Sequence, residues 1–357
     1  MLGSRFGMLA LGALVSLPVG PAVARADQWR EASEQVVSAA GLRAFRAENP
    51  SGDIRVRPSV DGRIHVTALK VIHADPADHD RLSRGTRVDL GNEQGVYVVR
   101  VNYPSRTHVE INFWDLFKGF ELPRVEVQLG IELPANLPVE LSTSSGDQNS
   151  EGITAMQTLS SSSGDVTLQD CGRYAVSSAS GDLFAIDCSG GTLRSTSGDV
   201  VVDGAAQTVR VRTASGDVRV DRAADSVRVE TVSGDVDVSS APRGLVATSA
   251  SGEIAARRAA GRTSIESGSG DVTLELAAPL AGTEVISGSG DLTVHIPRGA
   301  GCALEARTSN GALDVELPLQ VREVNRHQLT ATVSGGGAPV TLRSSSGDIH
   351  VTSGGGK

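Results

Sequence analysis

The stretch "VRVETVSGDVDV", residues 227–238, sets a Ser-Gly-Asp triplet between two runs of alternating valines. Val227 and Val229 stand at even distances before Ser233, whereas Val236 and Val238 stand at odd distances after it. Successive strand side chains point to opposite faces, and a shift of one residue inverts the face. A straight strand therefore cannot send all four valines inward, so the triplet reads as a corner. Gly supplies a backbone conformation closed to other residues there, and Asp can accept hydrogen bonds from nearby amides.

The same corner recurs. Ser-Gly-Asp begins at Ser51, Ser145, Ser163, Ser180, Ser197, Ser215, Ser233, Ser269, Ser289 and Ser346, with a Ser-Gly-Glu variant at Ser251 and a degenerate Ser-Asn-Gly at Ser309. From residue 145 to 269 the steps are 17 or 18 residues, then 20 and 20, which marks stacked structural repeats. Six and four residues before the corner come Val209 and Val211, Val227 and Val229, Thr263 and Ile265, or Thr283 and Val285, and apolar pairs such as Val218 and Val220 follow it. Two residues before the corner serine, the inward face carries a small hydroxyl: Ser195, Thr213, Thr231, Ser249, Ser267 and Ser287. Each unit is strand, corner, strand and a looser turn such as "GAAQ" or "APRG".

Two arrangements fit this unit: a β-solenoid with equivalent strands stacked in parallel, and an antiparallel meander of hairpins. Near-constant unit length favours the solenoid, because stacked coils must match in circumference. The fold class read here is all-β: a parallel β-solenoid or β-helix-like stack of about 18-residue coils, preceded by a less regular β-rich region. Three segments follow, with residues 1–26 as a signal peptide, 27–141 as the β-rich region, and 142–357 as the repeat stack with a C-terminal cap. In the middle segment, "DPADHDRLSRG" (75–85) predicts a short helix, and strands are expected at about residues 95–103 and 124–133. Near the end the step from Ser309 to Ser346 is 37 residues, so one corner is skipped. The glycine-rich close is read as a cap or a frayed tail.

Composition narrows the function classes. Arg5 precedes the apolar run "FGMLALGALVSLPVG", and Ala24-Arg25-Ala26 has the small-x-small pattern of a signal-peptidase site. This predicts an exported mature chain starting at Asp27, periplasmic or extracellular at the cell surface, without a transmembrane segment. Removing Arg5 and Arg25 takes the net charge from −9 to −11, with charges of both signs interspersed, which argues against a nucleic-acid partner. Aromatics make up only 3% of the chain while glycines number 41, so the core must be built from Val, Leu, Ile and small residues.

Stacking would align Asp165, Asp182, Asp199, Asp217, Asp235, Glu253, Asp271 and Asp291 along one edge. Unit charges ~5 Å apart repel by about 1 kcal/mol in water, so cations or amide hydrogen bonds must compensate. These aspartates are weak calcium candidates. Calcium-binding nonapeptide rolls carry a metal turn at every half coil, whereas here one corner per coil bears the acid, which favours amide capping. Cys171 and Cys188 lie seven residues beyond Gly164 and Gly181, at equivalent points on adjacent coils, where a disulfide staple is geometrically feasible. Two buried thiols are the alternative, and Cys302 has no equivalent partner.

Phe113, Trp114, Phe117 and Phe120 concentrate aromatics in "INFWDLFKGFELP", either as an exposed contact patch or as a plug for the open end of the stack. His65, His73, His79 and His108 lack metal-ligand spacing, and "VSGGGAP" has no Lys-Ser or helix after it to make a phosphate loop. The outward Arg210, Arg212, Arg219 and Arg228 form the nearest approach to a charged patch. Sugar-cleaving enzymes on parallel β-helices need carboxylates set off from the repeat and aromatic platforms. Yet the prominent acids here belong to the corners, and the repeat offers only Tyr174 and Phe184.

The "SGDV" corners, the early "NPSGDIRV", the "ELPANLPVELSTSSGD" entry and the "VSGGGAPVTLRSSSGDIHV" exit resemble the bacterial putative-adhesin family of β-strand repeats, a domain-of-unknown-function family. The resemblance covers nearly the whole mature chain. It implies a right-handed parallel stack and transfers no catalytic residue. The reading is an exported, non-enzymatic protein needing no cofactor, an adhesin or envelope scaffold whose partner is an envelope protein or polysaccharide. A calcium-stabilised exoprotein, an envelope-stress or signalling accessory and a carbohydrate-active enzyme are the alternatives.

Overall fold

The computed structural model describes residues 28–74, 76–104 and 124–354. They are overwhelmingly β-strand, with one helix, Pro76–Gly85. The chain divides into two compact units after Ile153.

In the unit beginning at Thr154, equivalent strands stack in parallel. The strands that precede the corners, Gln157–Ser163, Arg173–Ser180, Gly190–Ser197, Val209–Ser215, Val227–Ser233 and Leu245–Ser251, pair each with the next. Those that follow the corners, Val166–Gln169, Leu183–Cys188, Val200–Ala205, Val218–Ala223 and Val236–Val238, do the same. Ser180 lies opposite Ser197, Ser197 opposite Ser215, Ser215 opposite Ser233 and Ser233 opposite Ser251, so corner sits on corner. A hairpin meander would pair neighbours in sequence antiparallel, and these strands do not. The unit is solenoid-like.

The inversion of parity at the corner is what encloses the core. Val227 and Val229 before the corner and Val236 and Val238 after it are all at most 1% exposed, while Ser233 and Asp235 remain at the surface. Gly216 holds φ +126°, and a Cβ there would stand 2.2 Å from the carbonyl oxygen of Gly198 on the preceding coil. A corner that both turns left-handed and stacks backbone on backbone admits no side chain.

The far end of this unit departs from sequence order. Ala338–Ser344 pairs in parallel with residues 283–287 on one side and with Cys302–Thr308 on the other. Ile349–Gly354 is likewise held between Leu292–Pro297 and Leu313–Glu316. The last coil in sequence thus lies between two earlier ones, and the skipped corner is taken up by an inserted hairpin, Leu319–Asn325 with Gln328–Val333. Up to Gly354 the glycine-rich close, read as a cap or a frayed tail, is part of a strand paired on both sides. Gln328–Val333 instead turns antiparallel onto Cys302–Thr308, and Leu319–Asn325 pairs antiparallel with it. This hairpin closes the ladder.

In the unit ending at Ile153 the elements are β1 (Gln28–Ser38), β2 (Ala44–Ser51), β3 (Ile54–Pro58), β4 (Arg63–His73), α1 (Pro76–Gly85), β5 (Arg87–Glu93), β6 (Val96–Asn102), β7 (Arg124–Leu133), β8 (Val139–Ser145) and β9 (Gln148–Glu151). β2 pairs in parallel with β6 and β8, and β3 in parallel with β7 and β9. Ser51 lies opposite Ser145, so the early triplet is already a stacked corner although 94 residues separate the two. The region lacks a short period because β4, α1, β5 and their loops are inserted between successive coils. β1 and β4 pair antiparallel, as do β5 and β6, at the margins.

Candidate functional site

The acidic column is bound into the backbone ladder. The Asp182 N–H donates to Oδ1 of Asp165 at 2.9 Å, Asp199 to Asp182 at 2.9 Å, Asp217 to Asp199 at 2.8 Å and Asp235 to Asp217 at 2.9 Å. Glu253 donates to Asp235 at 2.8 Å, Asp291 to Asp271 at 2.9 Å and Asp348 to Asp291 at 2.8 Å. Each of these carboxylates therefore accepts the amide of the next acid in the column, which offsets part of the repulsion between stacked charges. Among the described residues, no group of three or more His, Cys, Asp or Glu is arranged to hold a metal ion.

The buried hydroxyls close the corners from inside. Ser267 Oγ donates to the Gly270 carbonyl at 2.8 Å and accepts from the Gly270 N–H at 2.9 Å, and Ser287 and Ser344 accept from Gly290 and Gly347 at 2.8 Å. Thr213 donates to the Ser215 carbonyl at 3.0 Å. Ser195, Thr231, Ser249, Thr263 and Thr283 are buried without such a partner. The sequence marks the position but not which hydroxyls bond, since that depends on the local corner shape.

Cys171 and Cys188 are joined by a disulfide across adjacent coils, Cα to Cα 4.3 Å. Cys302 is fully buried, and burial pushes its thiol up. His65 bonds Asp61 at 3.0 Å, and His79 lies against Trp29 with ring centroids 4.4 Å apart. Phe113, Trp114, Phe117 and Phe120 lie outside the described residues, as do His108 and residues 1–26.

The four outward arginines do not form one patch. Arg219 belongs to the strand after the corner, where it pairs with Asp221 at 2.6 Å and Asp237 at 3.9 Å. Arg222, near the end of the same strand, reaches Asp203 at 2.5 Å and Asp187 at 3.1 Å, so one guanidinium ties its own coil to the two before it. Sequence reading missed this tie, although the 35-residue step from Asp187 to Arg222 spans two repeats. Arg210, Arg212 and Arg228 project from the strands before the corner and, with Glu230, line a shallow depression of about 310 Å³. Arg194 extends the group, opposite Arg212 in the ladder. Glu230 is bonded by Arg228 at 2.7 Å and Arg212 at 2.8 Å, and these bonds hold its carboxyl below the usual range.

A further polar cluster marks the early corner. Asn49, fully buried, donates to the carbonyls of Gly52 at 2.9 Å and Val127 at 2.7 Å. The Tyr103 hydroxyl meets Asn49 Oδ1 at 3.0 Å and the Ser51 carbonyl, and accepts from the Val127 N–H at 3.1 Å. Tyr103 thus occupies the neighbouring coil, where no triplet exists to cover the corner.

Parallel coils with stacked glycine-acid corners define a β-solenoid-like repeat protein. The Toastrack DUF4097 family pattern matches residues 48–264 and 243–352, and the chain belongs to that family, in keeping with the resemblance carried by the corners. No curated protein matches the chain. Among solved structures, a putative cell adhesion protein of Clostridium sporogenes is 9% identical over 91% of this chain and 100% of its own, with a TM-score of 0.26. A putative adhesin of Bacteroides fragilis is 13% identical over 74% of this chain and 96% of its own, TM-score 0.31. A putative adhesin of Parabacteroides distasonis is 10% identical over 90% and 97%, TM-score 0.32.

Proposed function

We propose that the chain is an exported, non-enzymatic adhesin or envelope scaffold, whose stacked coils present a flat surface to a polymer or protein partner in the periplasm or at the cell surface. The observation that supports this is the register. Outward positions of successive coils fall opposite one another, as Thr192, Arg210 and Arg228 do, so a short sequence unit becomes an extended two-dimensional array. Such an array suits an elongated partner better than one small substrate. In this reading residues 1–26 are a leader removed on export, and residues 27–141 and 142–357 are the two segments of the mature chain. The coils wind right-handed, the hand that parallel crossovers adopt.

The test is capture from native envelope fractions by the tagged mature chain. Co-purification of an envelope protein or polysaccharide is expected. If nothing co-purifies, and the chain is recovered in the cytoplasm with residues 1–26 intact, the reading is wrong. The amide-bonded acid column also predicts that a chelator leaves the melting temperature unchanged, whereas a fall would favour the calcium-stabilised alternative.

A further inference from the structure

The arginines of the strands before the corners form an array whose charge is unbalanced, and one part of it already holds a carboxylate. Glu230 is gripped by Arg212 from the preceding coil and Arg228 from its own strand, at 2.8 and 2.7 Å. Arg212 lies opposite Glu230 and Arg210 opposite Arg228. Moving back one coil, Arg194 lies opposite Arg212 and Thr192 opposite Arg210. The triangle equivalent to Arg212, Arg228 and Glu230 is therefore Arg194, Arg210 and Arg212, with a third guanidinium where the acid would stand.

Four arginines face one glutamate here, +4 and −1, a local charge of +3 in a chain of net charge −9. Arg194 and Arg210 are exposed and make no ion pair among the described residues. Along the two ladder rows the next acids, Glu266 and Glu284, lie beyond Thr248 and Ser264. Across the corner the arginines are neutralised: Arg219 by Asp221, and Arg257 by Asp237 at 3.5 Å. Strands stack at ~4.8 Å, so Arg194 beside Arg212 and Arg210 beside Arg228 repel at a spacing where unit charges cost about 1 kcal/mol in water. Arginine forks bind carboxylates in two-pronged fashion, and Glu230 shows that these side chains reach such a geometry.

We propose that Arg194, Arg210 and Arg212 bind an acidic sugar unit of a linear anionic polysaccharide running across the coils. The proposal rests on the adhesin or scaffold reading and names the partner class. Ser177 beside Arg194 and Thr192 beside Arg210 flank the site with hydroxyls that match sugar hydroxyls. No aromatic ring lies among these residues to stack nucleobases or to anchor a protein interface, and Val232 is the one large apolar side chain exposed on the strand that carries Arg228 and Glu230.

The test is titration of the full mature chain with a galacturonic acid hexasaccharide and with a neutral glucan hexasaccharide. Saturable, salt-weakened binding of the acidic oligomer is expected, with none for the glucan. Arg194→Ser combined with Arg210→Ser weakens it by about tenfold or more, Arg210→Lys retains part of the affinity, and Arg257→Ser, beyond the corner at Ser251, leaves it unchanged. Equal affinity in the double variant, no binding of the acidic oligomer, or tighter binding of single-stranded DNA or an acidic peptide at these arginines would overturn the proposal. Envelope capture separates the two readings. A parent chain that binds no acidic oligomer yet captures an envelope protein leaves the adhesin reading standing and overturns this one.

Discussion

Gly216 lies so close over Gly198 that a methyl group on the first would meet the carbonyl oxygen of the second at 2.2 Å. The contact joins residues one repeat apart and recurs along the column, with Gly234 over Gly216 and Gly252 over Gly234, both also at 2.2 Å. Gly216→Ala must strain a φ of +126° and push two coils apart, and should lower unfolding stability by about 2–4 kcal/mol. Gly62→Ala is the control, because φ is +69° there but nothing lies within 4 Å, and about 1 kcal/mol is expected. Urea unfolding of both variants checks this. Equal losses would show that the corners are not packed backbone on backbone.

Asp217 stands in the same column and serves by its oxygen rather than by its charge. Its Oδ1 accepts the Asp235 N–H, and the amide oxygen of asparagine can do the same. Asp217→Asn should therefore stay within about 0.5 kcal/mol of the parent, whereas Asp217→Ala loses about 1 kcal/mol. If asparagine proves as harmful as alanine, the negative charge itself is needed and a bound cation becomes the better account.

How much of this the sequence discloses depends on whether the relevant partner lies one repeat away. Val227, Val229, Val236 and Val238 reveal the corner because the inversion of parity is local, and the stacking of Asp217 on Asp199 follows once the period is recognised. The stacking of Ser51 on Ser145 does not follow, because the inserted strands of the first unit hide the period. Nor does the placing of Ala338–Ser344 between residues 283–287 and Cys302–Thr308, where the chain leaves spatial order. The arginine array falls between these cases. Arg210 and Arg212 are visible as outward residues, but grouping Arg219 with them ignores that the corner carries it onto the ladder of strands that follow the corners.

The buried hydroxyls separate into two kinds that substitution should distinguish. Thr231 is 6% exposed and its Oγ1 has no partner, so Thr231→Val removes an unsatisfied polar atom while keeping the β-branched shape. A gain of about 1 kcal/mol is expected. Ser267 both donates to and accepts from Gly270, and Ser267→Ala should cost about 1–2 kcal/mol. Thermal unfolding of the pair measures the contrast, and a loss for Thr231→Val would reveal a partner for its hydroxyl.

The Cys171–Cys188 disulfide closes a loop of 17 residues, just one coil. Constraint of the unfolded chain by a loop of that size is worth about 3 kcal/mol. Cys171→Ala with Cys188→Ala should lower stability by about 2–3 kcal/mol and leave the far-ultraviolet spectrum unchanged, because the flanking ladder from Leu183–Cys188 to Val200–Ala205 needs no sulfur. A changed spectrum would mean that the staple, rather than the corners, sets the register of these coils.

Tyr103 gives the first unit an alkaline limit. Burial pushes its hydroxyl from the ordinary value near 10 up to about 12. The folded chain then holds this proton more tightly than the unfolded one, so the contribution to stability is intact below pH 10 and is lost as the pH rises from 10 to 12. Tyr103→Phe removes that dependence. It also leaves the Val127 N–H and the buried Asn49 short of a partner, which should cost about 1–3 kcal/mol at neutral pH. Stability measured between pH 8 and pH 12 should fall less steeply in the variant than in the parent. Burial raises Tyr97 and Tyr174 as well, so some decline persists, and the difference between the two curves is the quantity to read. Parallel curves would show that the Tyr103 hydroxyl meets water and does not close the early corner.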